Sequence, residues 1–384
     1  MTKIVICSHF DVFPVRHADQ DAVYSVVKGI DVKDRIILQT QYKDPKENIE
    51  VLGERLSLYR YPKFFSVIIF NFLLLLRIHR IRRKEKSVVV ITTKFHLTPT
   101  LLLASRLMGV RWISIFLDSF IAYDKFPYEV NPYSVPLPIL RLFERLTYSF
   151  ADYIYLNSVY EIESVKQRID SRFSNKILRT PLSSGMINCT ERFRDSGRRQ
   201  ALKSSLNLPQ KSMLVCFHGN FAENRQSRDA AFYIINSLSR EFNSSDVYFL
   251  IIGNGLNIPR NPSGNVLYLG YVENLCAALA CCDLEVAPIA GGSGIKMKIL
   301  DALSVGIPVL ASDDAARGLV EPSPVVVSDF NNFPVALKAL LSDEGKLRKL
   351  GQESMEYAEM YYSASSSIKD VIGSLLSGTS VHRI

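Results

Sequence analysis

The sequence predicts an α/β protein with two doubly wound domains, and three observations support this fold class. The chain has 384 residues, which is too long for one ordinary hydrophobic core and suits two domains. Its composition is 47% hydrophobic and 22% charged, which is typical of folded globular chains and excludes a disordered one. In both halves, short β-branched runs alternate with longer segments of helical pattern. This alternation predicts parallel sheets covered on both faces, because parallel strands need crossover connections.

The β-branched runs predict four strands in the first half and six in the second. The first four are Ile4–Cys7, Val88–Thr92, Trp112–Phe116 and Tyr153–Leu156. The other six are Leu214–Phe217, Tyr248–Ile252, Val266–Leu269, Leu284–Ala287, Val309–Ala311 and Val325–Val327. A polar stretch without an apolar stripe separates the halves. We therefore predict an N-terminal domain at 1–185, a linker at 186–212, a C-terminal domain at 213–362 and a helix with a tail at 363–384.

The cysteines and the start of the chain indicate the cellular compartment. The six cysteines have neither CxxC spacing nor histidines in a zinc pattern, so they suggest neither a metal site nor a disulfide framework. The segment Lys3–Ser8 resembles a first core strand and lacks the features of a secretory signal. A reducing, cytoplasmic location is the simplest expectation.

Positive charge is concentrated in one part of the first half. The net charge is +8, but Arg60–Arg111 holds eleven Lys or Arg residues against Glu85 alone, a balance of 11 − 1 = +10. Nucleic acid and anionic lipid are both candidate acidic partners. Lipid is favoured, because these basic residues lie beside a long apolar run and are not interleaved with aromatic residues. The apolar run Phe64–Leu76 is too short to span a membrane, which needs about 20 residues. It is either a buried helix or an interfacial one, and we predict peripheral contact with an anionic membrane surface.

Two glycine-rich turns follow predicted strands of the second half, Gly253–Gly255 and Gly291–Gly294. The second turn leads into a predicted helix, whose first amide groups and whose Lys296 and Lys298 favour an anion. Asp301 lies further along this helix, where a carboxylate can accept hydrogen bonds from a ribose diol. The pattern predicts a nucleotide site, and the alternative is a tight turn before an ordinary surface helix.

The same segment resembles a known family. The stretch GGSGIKMKILDALSVGIPVLAS (Gly291–Ser312) is similar to the donor-binding signature of the retaining GT-B glycosyltransferases of family four, in the GSGIKxKxLEA subgroup. Three further segments match in the same order, Phe217–Phe221, Phe249–Gly255 and Leu269–Val272. The resemblance is strong over Met213–Tyr362, whereas the first domain matches only in outline.

The resemblance implies two Rossmann-like domains that face a central cleft. It implies that the second domain binds a nucleotide sugar, that the first binds a glycan or lipid-linked acceptor, and that neither a metal ion nor another cofactor takes part. Asp301 matches the acid that holds the donor ribose, and Gly292–Ile295 matches the loop at the sugar and diphosphate. The predicted donor-binding residues are Gly219, Asn220, Arg225, Gly253, Gly255, Gly292, Ser293, Gly294, Ile295, Lys296, Lys298 and Asp301.

The second domain departs from the family pattern at charged positions. The first acid of the family's glutamate pair falls at Ser293, or near Gly291 if the loop is gapped. The two phosphate-binding cations of the family fall at Asn220 and Gln226. We predict that other cations replace them at the diphosphate, namely Lys296 and Lys298 with Arg225 or Arg228.

The first domain departs as well. The loop after its first strand lacks the family's Gly-Gly pair and carries Arg16 and His17, which either meet the diphosphate or are incidental. The family's catalytic histidine falls at Leu117, so the adjacent Asp118 is our candidate for a polar group beside the reacting sugar. His96 is the second catalytic candidate, with a structural role as its alternative.

Together these patterns predict a retaining, metal-independent, hexosyltransferase-like glycosyltransferase of polysaccharide biosynthesis. It would transfer a sugar from a nucleoside diphosphate sugar to a lipid-linked or cell-envelope glycan at the inner face of the cell membrane. The alternative is a catalytically weak or inactive GT-B scaffold that acts as a binding or regulatory partner. A dehydrogenase is improbable, because the turn after the first strand lacks GxGxxG.

Overall fold

The computed structural model describes residues 2–7, 30, 32–39, 49–51, 63–93, 97–116, 119–123, 136–180, 184, 186–187, 189, 196–243 and 246–362. The chain divides into two compact units, with the boundary between Leu182 and Ser183. The second unit extends to Ser363 and therefore includes the segment 186–212 that the sequence predicts as a linker.

The first unit contains a seven-stranded sheet in the order β3-β2-β1-β4-β5-β6-β7, with every described pairing parallel. Its strands are β1 (Thr2–Cys7), β2 (Arg35–Gln39), β3 (Ile49–Val51), β4 (Ser87–Thr92), β5 (Arg111–Phe116), β6 (Tyr153–Leu156) and β7 (Ile177–Arg179). Its helices are α1 (Lys63–Lys84), α2 (Thr98–Met108), α3 (Leu137–Phe150) and α4 (Val159–Arg168). The central strands are buried almost continuously, as expected when helices cover both faces of a parallel sheet.

The second unit contains a six-stranded parallel sheet in the order β10-β9-β8-β11-β12-β13. Its strands are β8 (Met213–His218), β9 (Val247–Ile252), β10 (Val266–Gly270), β11 (Leu284–Ala287), β12 (Val309–Ala311) and β13 (Val326–Val327). Its helices are α5 (Ser196–Ser205), α6 (Arg225–Asn236), α7 (Leu275–Ala280), α8 (Met297–Val305), α9 (Asp313–Ala316), α10 (Phe333–Leu341) and α11 (Glu344–Tyr362). The predicted α/β class with two doubly wound sheets is confirmed.

All ten predicted strands are present, with bounds within two residues of those predicted. The strands β2, β3 and β7 were not predicted. The strands β3 and β7 have three residues each, and β2 has only three apolar residues between polar ends, so none shows a clear period in the sequence. All three flank the central strands of the first sheet, where pairing with a neighbour supplies the hydrogen bonds that hold a short strand.

The apolar run Phe64–Leu76 lies within helix α1, which has two different apolar faces. Four residues at helical spacing are buried in the core, Phe70, Leu74, Ile78 and Ile81. On the opposite side Ile68, Phe72 and Leu76 are exposed by 49%, 61% and 40%. One face of the helix thus packs on the core, as the first alternative predicts, and the other face presents an exposed apolar stripe. Among the described residues, no helix combines the length and the hydrophobicity needed to traverse a bilayer.

Two long-range links fasten the segment before β8 to the second unit. Arg199 of α5 forms a bidentate ion pair with the buried carboxylate of Asp283, with N–O distances of 2.5 and 2.6 Å. Cys189 is joined by a disulfide to Cys276, across 87 residues of sequence. This disulfide corrects the sequence analysis, which suggested none, because cysteines so far apart leave no spacing pattern.

Candidate functional site

The predicted donor-binding residues of the second unit lie where strands β8, β9 and β11 end. Gly219 follows β8, Gly253 follows β9, and the turn 291–294 lies between β11 and α8. Because these strands are parallel neighbours in the sheet, their carboxyl ends share one edge. The sheet order therefore brings together turns that are about 35 residues apart in the chain.

The first two turns interlock through their backbones. The amide of Gly219 donates to the carbonyl of Ile252 at 3.0 Å, and the amide of Phe221 donates to that of Asn254 at 2.8 Å. Gly253 has a φ of +133°, and a Cβ atom there would lie 1.8 Å from the Gly219 carbonyl oxygen. At Gly255 (φ +104°) a Cβ would lie 2.1 Å from the amide nitrogen of Ala222. Both glycines are thus required by the contact between the turns, whether or not a ligand approaches them.

The third turn has three glycines in the left-handed region, Gly291, Gly292 and Gly294, with φ of +73°, +96° and +61°. The amide of Gly291 donates to the carboxylate of Asp314 at 2.6 Å, and Asp314 is ion-paired with Arg317. The buried Ser293 and the partly buried Ile295 complete the turn before helix α8 begins at Met297. Left-handed glycines of this kind are typical of anion-binding loops, in which successive amide groups face one side, although the amide of Gly291 is already occupied by Asp314.

Lys298 connects the third turn to the first. Its Nζ donates to Ser227 Oγ at 2.7 Å and lies 4.4 Å from the centre of the Phe217 ring. A Cβ atom on Gly219 would lie 2.9 Å from this Nζ, so the ammonium group lies directly beside the first turn. Burial lowers the pKa of Lys298 to about 8, although Glu285 counteracts the shift. The site therefore holds a cation in a place where water screens it poorly.

Lys296 occupies the position before α8 and folds back over the third turn. Its Nζ donates to the carbonyl of Ser293 at 2.9 Å. A Cβ atom on Gly292 would lie 2.7 Å from the same Nζ and 3.2 Å from Gln226 Oε1. Lys296 and Lys298 thus approach the third and first turns from the same helix start.

Asp301 lies in the second turn of α8, which begins at Met297. One carboxylate oxygen accepts a hydrogen bond of 2.6 Å from Ser184 Oγ, and the other lies 3.5 Å from Nε2 of His218. The His218 Nδ1 lies 3.0 Å from Oε1 of Glu285. Burial lowers the pKa of His218, but Glu285 and Asp301 together outweigh it and raise this pKa to about 9. The imidazole is therefore cationic at neutral pH, between two carboxylates.

Sequence analysis missed His218, Glu285, Ser184 and Ser227 as members of this site. A signal existed for the first two, because each is a polar residue in an otherwise apolar strand, in MLVCFH and LEVA. The two serines carried no such signal, since Ser184 reaches Asp301 across 117 residues and Ser227 reaches Lys298 across 71.

Asn220 and Arg225 make local contacts beside the first turn. The Asn220 side chain accepts from the amide of Ala222 at 3.2 Å and donates to Glu223 at 3.1 Å, which stabilises the turn. Arg225 is exposed and lies 3.6 Å from Asp229 of the same helix. Arg228 donates to the carbonyl of Phe221 at 3.4 Å.

The catalytic candidates Asp118 and His96 lie outside the described residues, as do Arg16, His17 and Leu117. The described part of the chain resumes at Ser119, the residue after Asp118. Ser119 donates from its hydroxyl to the buried Glu144 and from its amide to Glu161 at 3.2 Å. Burial raises the pKa of Glu144 to about 7. Two buried carboxyl groups thus hold Ser119 by its amide and its hydroxyl.

Comparison with known proteins places this site within a recognised domain. Residues 212–343, which include every predicted donor-binding residue, match a family model described as glycosyl transferases group 1. A phosphatidyl-myo-inositol mannosyltransferase of Mycolicibacterium smegmatis is 27% identical over 148 residues, 35% of this chain. That match spans only 38% of the length of the mannosyltransferase.

Solved structures resemble nearly the whole chain. HepE from Anabaena in complex with UDP has a TM-score of 0.73 at 13% identity, covering 98% of this chain and 100% of its own. Sucrose-phosphate synthase from Thermosynechococcus elongatus has a TM-score of 0.72 at 12% identity, with the same coverage. WaaG, a glycosyltransferase involved in lipopolysaccharide biosynthesis, has a TM-score of 0.62 at 12% identity, also with that coverage. The chain has the GT-B fold, and the family match supports the predicted enzyme class, a glycosyltransferase.

Proposed function

We propose that this protein is a retaining glycosyltransferase that takes a sugar from a nucleoside diphosphate sugar. The observation that carries the proposal is the meeting of Gly219, the turn 291–294 and Lys298 at one sheet edge, inside the segment that matches glycosyl transferases group 1. HepE, which has a similar fold, was crystallised with UDP and with UDP-glucose. A uridine diphosphate sugar is therefore the first donor to test.

In this proposal the cations of the chain neutralise the leaving diphosphate. Lys298 lies beside the Gly219 turn and Lys296 over the Gly292 turn, and both belong to the start of helix α8. Fixed donors strongly stabilise the negative charge that develops on a diphosphate, and each lowers the activation barrier by about 3 kcal/mol. Asp301 accepts hydrogen bonds from the donor ribose, and Arg225 is an additional candidate cation. Since these residues supply the charge, no metal ion is needed.

Turnover is tested with the full chain and a panel of UDP, GDP and ADP sugars. We expect one donor to bind and to release its nucleoside diphosphate slowly when no acceptor is present. Release should be faster when a lipid-linked glycan is added, and EDTA should change neither rate. The anomeric configuration of the product, read by NMR, tests retention. If one donor binds but neither hydrolysis nor transfer occurs with any acceptor, the chain is a GT-B scaffold that acts by binding. Binding of no donor would contradict the proposal as a whole.

We propose further that the acceptor is associated with an anionic membrane surface, and the support comes from helix α1. The exposed stripe Ile68, Phe72 and Leu76 lies on the same side of the helix as the exposed Arg80 and Arg83. Exposed leucines of the neighbouring helix α2, Leu103 and Leu107, add to the apolar surface. Apolar residues flanked by cations are typical of helices that lie in the interface of an anionic bilayer.

Membrane recruitment is tested by sedimentation of the protein with vesicles. We expect binding to vesicles that contain phosphatidylglycerol and weak binding to phosphatidylcholine alone, with the difference reduced by salt. Equal binding to both kinds of vesicle would remove the reason for a membrane acceptor, and the donor proposal would be unaffected.

A further inference from the structure

A group of three charged residues, two of them buried, lies at the candidate nucleotide site of the second unit. His218 ends strand β8, Glu285 belongs to the neighbouring strand β11, and Asp301 belongs to helix α8. The Nδ1 atom of His218 lies 3.2 Å from Oε2 of Glu285, within hydrogen-bond range, whereas its Nε2 atom is 3.5 Å from Oδ2 of Asp301, an ion-pair distance. The imidazole therefore lies between the two carboxylates, hydrogen-bonded to Glu285 and attracted to Asp301 by charge.

The three side chains differ in their access to a ligand. The Glu285 side chain is fully buried and that of His218 is 6% exposed, whereas that of Asp301 is 19% exposed. Only Asp301 is open to a molecule at the sheet edge, so the other two must act through it. Burying this many charges is costly, and an apolar pair of similar volume would stabilise a core at least as well. The arrangement is therefore better explained by a requirement on Asp301 than by stability.

The contacts of Asp301 leave acceptor capacity for a ligand. Ser184 Oγ donates to Oδ1 at 2.6 Å, and the His218 ring faces Oδ2. A carboxylate has about four lone-pair sites, so about two remain. Two partners approaching from different sides fix the plane of the carboxylate, and the remaining sites then point in set directions. A vicinal diol, which offers two hydroxyl donors on adjacent carbons, matches such a pair of sites.

We propose that His218, held by Glu285, is a positioning residue that orients Asp301 and thereby sets a preference for ribonucleotides over deoxyribonucleotides. This inference rests on the proposed function, since it assigns the ribose of the donor to Asp301. It adds a specificity determinant to that site. His218 does not touch the ligand and takes no part in the transfer step.

The charge of His218 depends on several neighbours. The groups that face His218 are Glu285 from β11 and Asp301 from α8, and Lys298 of α8 also acts on both carboxylates. Because the pKa of His218 is raised to about 9, one of its N–H groups is lost only above that pH. Lys298 loses its charge near pH 8, which weakens diphosphate binding for ribonucleotides and deoxyribonucleotides alike. The ratio of the two affinities therefore isolates the His218 effect.

The test measures the affinities of the full chain for UDP, GDP and their 2′-deoxy forms by calorimetry at pH 7. We expect the unmodified protein to prefer the ribonucleotide. In His218→Leu this preference falls about tenfold, because the cation that faces Asp301 is lost, while the affinity for the deoxyribonucleotide hardly changes. His218→Gln, which restores a neutral donor, recovers part of the preference. In the unmodified protein the preference declines above pH 9.

A second variant and a control distinguish a specific loss of the preference from a general loss of folding. Glu285→Gln lowers the same preference, because it removes the charge that holds His218. Arg199→Met breaks a buried ion pair with Asp283, at the opposite end of β8, and lowers the melting temperature while the preference stays unchanged. The inference is overturned, and the proposed function stands, if His218→Leu and Glu285→Gln both keep the preference for the ribonucleotide. The same holds if both variants lose affinity equally for the ribonucleotide and for the deoxyribonucleotide. If the unmodified protein binds no nucleoside diphosphate, both fall together.

Discussion

At the scale of single residues, the candidate site depends on side chains whose burial changes their chemistry. His218 is buried and Lys298 is half-buried, and their pKa values move in opposite directions. Burial dominates for Lys298, which has a hydroxyl and a ring as its nearest contacts. For His218 the two carboxylates outweigh burial. The same sheet edge thus holds one cation available for an anionic ligand and another committed to neighbouring carboxylates.

Lys298→Met should weaken nucleotide binding. The substitution keeps the apolar stem and removes the ammonium beside Gly219, so we expect the dissociation constant of UDP to rise about tenfold or more. The matched control is Lys349→Met, which removes the same charge from an exposed position, where the lysine forms a surface ion pair with Glu353 at 3.7 Å. Calorimetry of both variants at pH 7 decides the matter, and equal affinities would exclude Lys298 from the diphosphate site.

His218 should make the stability of the protein depend on pH. Its pKa is about 9 in the folded chain and about 6.5 when unfolded, so its stabilisation is fully present below pH 6.5 and is lost as the pH rises through 9. Between pH 6.5 and 8 the loss amounts to about 1.5 kcal/mol. Lys298 acts in the opposite sense, but only above about pH 8. Urea denaturation of the wild type should show this decline relative to His218→Gln; parallel profiles would argue against a charged His218.

At the scale of elements, short turns and one helix face carry the functional features. The turns after β8 and β9 are held against each other by backbone hydrogen bonds, and two glycines make that approach possible. Helix α1 has one apolar face buried and another exposed. In both cases the element type follows from local sequence, while the partner of each face comes from elsewhere in the chain.

Gly253→Ala should disrupt the interlocked turns. The new Cβ would meet the Gly219 carbonyl oxygen at 1.8 Å in a backbone conformation with φ of +133°, so we expect a loss of about 3 kcal/mol or more in unfolding free energy. Gly264→Ala is the matched control, because a Cβ there meets nothing within 4 Å, and its effect should stay within about 0.5 kcal/mol. Similar melting temperatures for the two variants would contradict the steric account.

The two faces of helix α1 should respond differently to serine. The triple variant Ile68→Ser, Phe72→Ser and Leu76→Ser should lower the affinity for anionic vesicles at least about tenfold with little change in melting temperature, because these side chains are exposed. Leu74→Ser changes the buried face of the same helix and should cost about 3 kcal/mol of stability. Unchanged vesicle binding by the triple variant would assign the exposed stripe a different role.

At the scale of the whole molecule, the chain consists of two units, each with its own parallel sheet and its own buried core. The residues that we assign to the nucleotide belong to the second unit, as does Ser184, which precedes α5 and donates to Asp301. The predicted catalytic residues and the apolar stripe belong to the first unit. Donor binding and transfer should therefore be separable.

A fragment of residues 183–363 should fold alone and bind UDP with an affinity close to that of the full chain, because its sheet, its core and the Asp301 cluster are all internal to it. It should transfer no sugar. Circular dichroism and calorimetry of the fragment provide the check. A folded fragment that fails to bind UDP would mean that the nucleotide site needs residues of the first unit.

The sequence by itself determined the α/β class, ten of the strands and the position of the glycine-rich turn before α8, since periodicity, turn residues and helix ends are local properties. Only the tertiary structure decided which side chains meet. The contacts of His218 with Glu285, of Ser184 with Asp301 and of Lys298 with Ser227 join residues 67, 117 and 71 positions apart. It also decided that Gly253 serves the contact with Gly219, and that one apolar face of α1 stays exposed. Parallel strands bring distant segments to one edge, and spacing along the chain carries no record of that neighbourhood.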